Sequence, residues 1–184
     1  MALPSTIYRS SIQLSHVDRN LYETLQITVA RHPSETEERL VLRLLAFALC
    51  YEPDLAFTKG ICAGDEPDLW VKGPDGRVLL WVEVGLPDPE RLVKACRHAT
   101  RAVLLVGGTA RQGWERQHLH KLVTVRNLTV LGLDQGFLNQ LADRLERSIN
   151  WSLTVTEGSL YLERDGETLE AAVSHLSGPN PVVS

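Results

Sequence analysis

Hydrophobic and polar positions alternate along residues 6–14 and again along 21–30, with 17–20 as a short connection. Period-2 alternation over such lengths predicts two half-buried strands. The segment RHPSETEER that follows is polar, and it leads into a nearly all-apolar helix reaching about Leu49. Residues 51–64 read as loop, and the next patterned stretch is a hairpin running from Asp68 to Glu83. Pro87-Asp-Pro-Glu opens a helix through about Thr100, and 102–106 is a continuous apolar run of the kind a fully covered strand shows. A helix over 110–122, a strand over 128–133 and a helix over 135–147 complete the middle of the chain. Residues 151–155 and 160–163 form a terminal hairpin across Glu157-Gly158, a last short strand includes 170–173, and the tail SGPNPVVS is expected to fray. Strand and helix alternate in the middle, which predicts an α/β (mixed α+β) fold with a central mixed sheet flanked by helices. At 184 residues the chain is read as one domain, 1–184, large enough for a real core.

The hairpin carries the most chemistry. Residues 66–85 read EPDLWVKGPDGRVLLWVEVG, with a Gly-Pro-Asp-Gly turn between two apolar strands and an acid at each outer end. Pro and Gly preset the backbone reversal. With Gly73 facing Gly76, Asp68 lies opposite Trp81 and Glu83 falls one diagonal step further on the same face, with backbones roughly 7–8 Å apart. Two acids at that spacing can grip one divalent cation. The plainer account is a pair of strand-end carboxylates. What weighs against it is the apolar run 78–82 that Glu83 ends, beside which a carboxylate is costly to bury unless a cation or donors satisfy it.

Two flanking features add to the site. Ser34 stands at an N-cap position with Glu37 three residues on, a capping box that occupies Glu37 and leaves Glu38 over the apolar stripe of Val41 and Leu45. Glu38 is read either as a complement to the helix N-terminus or as a third acid of the site. In the helix after Glu83, Glu90, Lys94 and His98 recur every four residues. A salt bridge between Glu90 and Lys94 is the ordinary explanation. Lys94 is also the only lysine between Lys72 and Lys121, placed where it could orient a water or neutralise a phosphate.

Composition narrows the classes. The net charge of −4 advertises no nucleic-acid binding, so any such contact needs a local patch. Arg97, Arg101, Arg111, Arg116 and Lys121, with Trp114 for stacking, are the best candidates, and a solvated helix face with Trp114 in the core is the plainer account. His118 and His120 lack a third ligand at useful spacing. Cys50, Cys62 and Cys96 form no CxxC pair, which argues against zinc and suits a reducing compartment. The N-terminus lacks a signal pattern and the apolar run 40–50 is broken by Arg43 and too short to span a bilayer. A cytoplasmic protein without membrane contact is expected.

A helix-borne Glu38, Asp68 behind Pro67, strand-borne Glu83 and Lys94 on the next helix resemble the PD-(D/E)XK nuclease superfamily, with Gly85 where that pattern has lysine. The stretches ARHPSETEERLVLRLLAFAL, KGICAGDEPDLWV and LLWVEVGLPDPERLVKAC, with their spacing, resemble the bacterial YaeQ family more specifically. The resemblance implies a restriction-endonuclease-like core over about 34–134 with extra strands from 1–30 and 150–176. It further implies Mg²⁺ or Mn²⁺ at Asp68 and Glu83, phosphodiester hydrolysis of nucleic acid, Lys94 in the displaced lysine's role, and Glu38 completing the metal's outer shell or binding a second ion. Two other readings stand beside it. One is a catalytically silent nucleic-acid- or protein-binding protein on the same scaffold. The other is an interaction module in which Trp151, Leu153, Val155, Leu160 and Leu162 offer a strand edge.

Overall fold

The computed structural model describes residues 4–59 and 64–180. Cys62 therefore lies outside the described residues, as does the tail beyond Asn180. Two mixed sheets enclose a helical layer. The first is built from β1 (Thr6–His16), β2 (Leu21–Arg31), β8 (Ser148–Thr156), β9 (Ser159–Arg164) and β10 (Glu167–Ala172). Its strand order is β10-β9-β8-β1-β2. The extra strands from the two ends of the chain thus join each other, with β1 parallel to β8. The second sheet comprises β3 (Ala56–Phe57), β4 (Leu69–Lys72), β5 (Val78–Val84), β6 (Ala99–Val106), β7 (Leu128–Gly132) and β11 (Ser174–Ser177). Its order is β11-β7-β6-β5-β4-β3. Strands β5, β6 and β7 run parallel, and the others are antiparallel additions.

Helices α1 (Glu37–Leu49) and α5 (Gln135–Ala142) lie between the sheets. They share one core with Ile12 of β1, Leu25, Ile27 and Val29 of β2, and Val82 and Leu105 of the second sheet, to which α1 contributes Leu44 and Leu45. This explains why α1 is apolar nearly all round: both sides of it are covered. Arg19 ties the layers together, donating to the carbonyls of Leu49 (3.2 Å) and Tyr51 (2.8 Å) at the end of α1. The outer face of the second sheet carries α2 (Pro89–His98) and a helical segment in which α3 (Arg111–Trp114) and α4 (His120–Leu122) flank a π-helical turn. Trp81, Leu92, Leu104, Trp114 and Val130 form its separate core.

Several boundaries differ from the sequence expectation. The helix expected over 135–147 ends at Ala142, and β8 starts at Ser148 because Arg9 N donates to Arg147 O and draws the chain into the sheet. Of the tail 177–184 expected to fray, Ser177 ends β11, which adds to the edge of β7, and Pro179 O accepts from Thr129 Oγ1, while 181–184 lie outside the described residues. The strand-edge reading of the terminal hairpin does not hold, since Trp151, Leu153, Val155, Leu160 and Leu162 are buried and β8 and β9 are interior strands. Trp114 is likewise in the core, its Nε1 donating to Pro87 O (2.9 Å), so it is no stacking platform. Arg101 pairs with Glu52 and Arg111 with Glu115, so the six residues do not make one basic patch.

Candidate functional site

A cleft of about 550 Å³ opens where β5 and β6 end, between the start of α1 and the start of α2. Glu38, Arg39, Asp68, Glu83, Gly85 and Arg91 are among the residues lining it. Crevices at the carboxyl ends of parallel strands are where open α/β sheets place ligands. Gly107, just after β6, lies against the buried helices: a Cβ there would sit 2.8 Å from Leu138 Cδ1 and 2.9 Å from Leu42 Cδ1, so a larger residue would need those leucine ends to shift.

The hairpin register differs from expectation by two residues. Gly73 N donates to Arg77 O (2.8 Å), leaving a three-residue loop in which Gly76 has φ +81°. An irregularity between Val71 and Lys72 adds a second residue of slip. Trp70 therefore pairs with Trp81 and Leu69 with Val82, which ends the paired register just after Asp68 in the chain direction of β4 and just before Glu83 in that of β5. Asp68 continues the ladder, with its N–H donating to Val82 O (3.0 Å) and its Oδ2 accepting from Val84 N (2.9 Å).

Asp68 and Glu83 are both 4% exposed, and each is held by arginine. Asp68 Oδ1 accepts from Arg39 Nη2 (2.7 Å), and Arg43 Nε lies 3.7 Å away. Both arginines also reach Glu35, itself 4% exposed: Arg39 Nη1 donates to Oε1 (3.0 Å) and Arg43 Nη1 to Oε2 (3.1 Å). Arg43 further donates to Ala30 O and stacks its guanidinium 5.3 Å from the Phe57 ring centre. Glu83 Oε1 accepts from Trp81 Nε1 and from Arg91 Nε, both at 3.0 Å. Arg91 also donates to the carbonyls of Gly64 and Glu66 (2.7 Å to the latter), clamping the loop before Asp68 onto α2. Burial pushes the Glu83 carboxyl above the usual range, against the opposing pull of Arg91 and the Trp81 hydrogen bond, and the Asp68 charge adds to the rise.

Of the acids expected from sequence, Glu38, Asp68 and Glu83 come together on the cleft wall. Glu38 is half-buried. Lys94 is exposed on α2, one turn past Arg91, and is not among the cleft-lining residues. Gly85 has φ +93°, a conformation that strains any L side chain, so the backbone itself disfavours a lysine at this position. The expected capping box is not formed. Thr36 caps α1, its Oγ1 accepting from Arg39 N (3.2 Å), while Ser34 N donates to His32 Nδ1 (3.1 Å). Glu35 reaches Arg43 from just before the helix and sets the start two residues later than Ser34 would.

Glu35, Arg39, Arg43 and Arg91 were not singled out from the sequence. A signal existed: Glu35, Arg39 and Arg43 are spaced by four, and an arginine inside an apolar helix calls for a buried acid.

The donor chemistry suits a hard cation, because Mg²⁺ is commonly held by one or two carboxylates with water in its other positions, and Asp68 and Glu83 supply two. Among the described residues no group of three or more His, Cys, Asp or Glu side chains is arranged to hold a metal ion. Waters and backbone carbonyls would complete the shell. Of the cysteines, Cys50 and Cys96, the two among the described residues, are free thiols outside the cleft lining that burial pushes up to about 12 and about 11.

Fold and cleft together define a two-sheet α/β protein with an arginine-neutralised carboxylate cleft at the ends of its parallel strands. Its relatives make the identification specific. The model of the YaeQ protein family matches residues 1–173, and the chain belongs to that family. It is 38% identical to the YaeQ protein of Salmonella typhi and 37% identical to that of Escherichia coli, in each case over 98% of this chain and 100% of the relative. The crystal structure of YaeQ from Pseudomonas syringae superposes with a TM-score of 0.91 at 40% identity, covering 97% of this chain and 99% of that one. The YaeQ structure from Xanthomonas axonopodis pv. citri gives 0.91 at 34%, covering 96% and 100%. No helix among the described residues is long and apolar enough to cross a membrane.

Proposed function

We propose that this protein is a Mg²⁺- or Mn²⁺-dependent phosphodiesterase acting on nucleic acid in the cytoplasm, built on a variant PD-(D/E)XK core. The observation that carries the reading is the meeting of Glu38, Asp68 and Glu83 in one cleft at the ends of parallel strands. Asp68 and Glu83 would hold the ion, with Glu38 at its outer shell. When bound, such an ion neutralises charge on a phosphoryl oxygen and lowers the pKa of a water. The chain's own contribution is positional. Trp81 and Arg91 fix the Glu83 carboxylate, and Val84 N fixes Asp68. Arg91, on the cleft wall, has the planar fork that suits a phosphate, and as a permanent cation it stabilises charge without exchanging a proton. Lys94 has no part in this arrangement.

A second reading, a silent binding scaffold, draws support from the ion pairs that already neutralise both strand acids. Calorimetric titration of Mn²⁺ and Mg²⁺ into wild type and Glu83→Ala, with a cleavage assay on the same samples, separates the two. Binding and cleavage that disappear together in Glu83→Ala are expected. Binding without cleavage would favour the silent scaffold, and absence of binding in wild type would sink the metal reading.

A further inference from the structure

Resting on that metal-dependent reading, we propose that Arg39 is the resident counter-ion of Asp68 and exchanges with the divalent cation at Asp68 Oδ1. The two oxygens of Asp68 are not equivalent. Oδ2 is engaged by a backbone N–H, that of Val84, which cannot leave without disturbing β5. Oδ1 is engaged by side chains only: Arg39 Nη2 at 2.7 Å and Arg43 Nε at 3.7 Å, the latter beyond hydrogen-bonding range. Oδ1 is therefore the one acceptor that a side-chain movement can release.

Of the two arginines, only Arg39 is free to make that movement. The Arg43 side chain is 4% exposed, bound to Ala30 O and Glu35 and stacked on Phe57. The Arg39 side chain is 27% exposed and lines the cleft. Its departure from Asp68 leaves no other acid bare, because Glu35 keeps both of its contacts to Arg43 Nη1. It does leave Asp68, 4% exposed, with a charge that only a distant Arg43 Nε faces. A buried carboxylate in that condition demands another cation. Arg39 and a divalent ion thus compete for one oxygen. Once released, Arg39 keeps only the single contact to Glu35 Oε1, about which its guanidinium turns more freely and is available to a phosphate.

The exchange is tested on the full-length chain by calorimetric titration of Mn²⁺ into wild type, Arg39→Gln and Arg39→Lys. Glutamine removes the competing charge and should tighten Mn²⁺ binding by about fivefold or more, the low end of typical coupling between sites. Lysine keeps the charge and should stay close to wild type. In parallel, guanidinium ¹⁵N signals of wild type are followed with Mg²⁺: rotation of Arg39 should become fast at saturation while Arg43 stays hindered. This second measurement decides the matter if Arg39→Gln does not fold. Wild-type binding that Arg39→Gln leaves unchanged or weakens overturns the exchange while the metal reading stands, as does an Arg39 that stays hindered under saturating Mg²⁺. Absence of binding in wild type and Arg39→Gln alike overturns both.

Discussion

The two ends of the cleft hold their carboxylates in different ways. Asp68 belongs to an interior network in which Glu35, Arg39 and Arg43 come from the entrance and first turns of α1, a helix covered by both sheets. Glu83 is held from the outer side by Arg91, whose side chain is 35% exposed, and by its strand neighbour Trp81. Asp68 has a partner on each oxygen, whereas both donors to Glu83 share Oε1. One end is part of the core's charge balance and the other is a surface clamp. The difference teaches that a single hairpin can hold its two buried acids in different ways, one through ion pairs inside the core and the other through a partly exposed arginine.

The contrast can be broken most directly at Glu35. Glu35→Ala strips Arg43 of its buried counter-ion and should cost about 3–5 kcal/mol in urea unfolding, the range for breaking a buried pair from one side. Arg91→Ala should cost less, about 1–2 kcal/mol, because the charged hydrogen bonds it removes are partly screened by solvent. A larger loss for Arg91→Ala than for Glu35→Ala would invert the assignment of core and clamp.

The pH dependence sharpens the Glu83 end. Its carboxyl is raised above 4.5 by burial, so between about 4.5 and the higher folded-state value the folded protein binds more protons than the unfolded chain. Glu83 therefore favours folding less as pH climbs through that window. Glu83→Gln removes the dependence, and its stability relative to wild type should improve as pH rises from about 4.5 and then level off. A difference curve of opposite slope, measured by denaturant midpoints across pH, would contradict the raised carboxyl. The smallest effect belongs to Lys94→Ala: about 0.5 kcal/mol or less, with Mn²⁺ affinity unchanged. A clear loss of affinity would bring Lys94 back to the site.

Much of the fold was legible. The alternation in β1 and β2, the covered apolar runs of β5 and β6, and the Asp88-Pro89 start of α2 follow from local rules, and the structure bears them out. The hairpin turn was legible, but its register was not, since one extra loop residue and one irregularity each shift the pairing by a residue and neither is written in the composition of the turn. The acids Asp68 and Glu83 stood out because a carboxylate beside an apolar run is costly. Their arginine partners did not, because Asp68 and Arg39 are 29 residues apart and meet only when α1 packs across the sheet. The break that Arg43 makes in the α1 apolar run was visible, yet the identity of its acid waited on the actual start of the helix.

The chain by itself determined which segments become strands and helices, which faces are apolar, and that two acids end facing strands. These depend on backbone preferences and side-chain period, which act over a few residues. Tertiary structure alone decided that the terminal strands close into a sheet of their own over α1, that Trp114 and Trp151 are core residues, and that Arg91 rather than Lys94 reaches Glu83. Those outcomes depend on which surfaces are removed from water together. A buried charge takes as its counter-ion whatever group the packing brings within hydrogen-bonding distance, however far away it lies in the sequence.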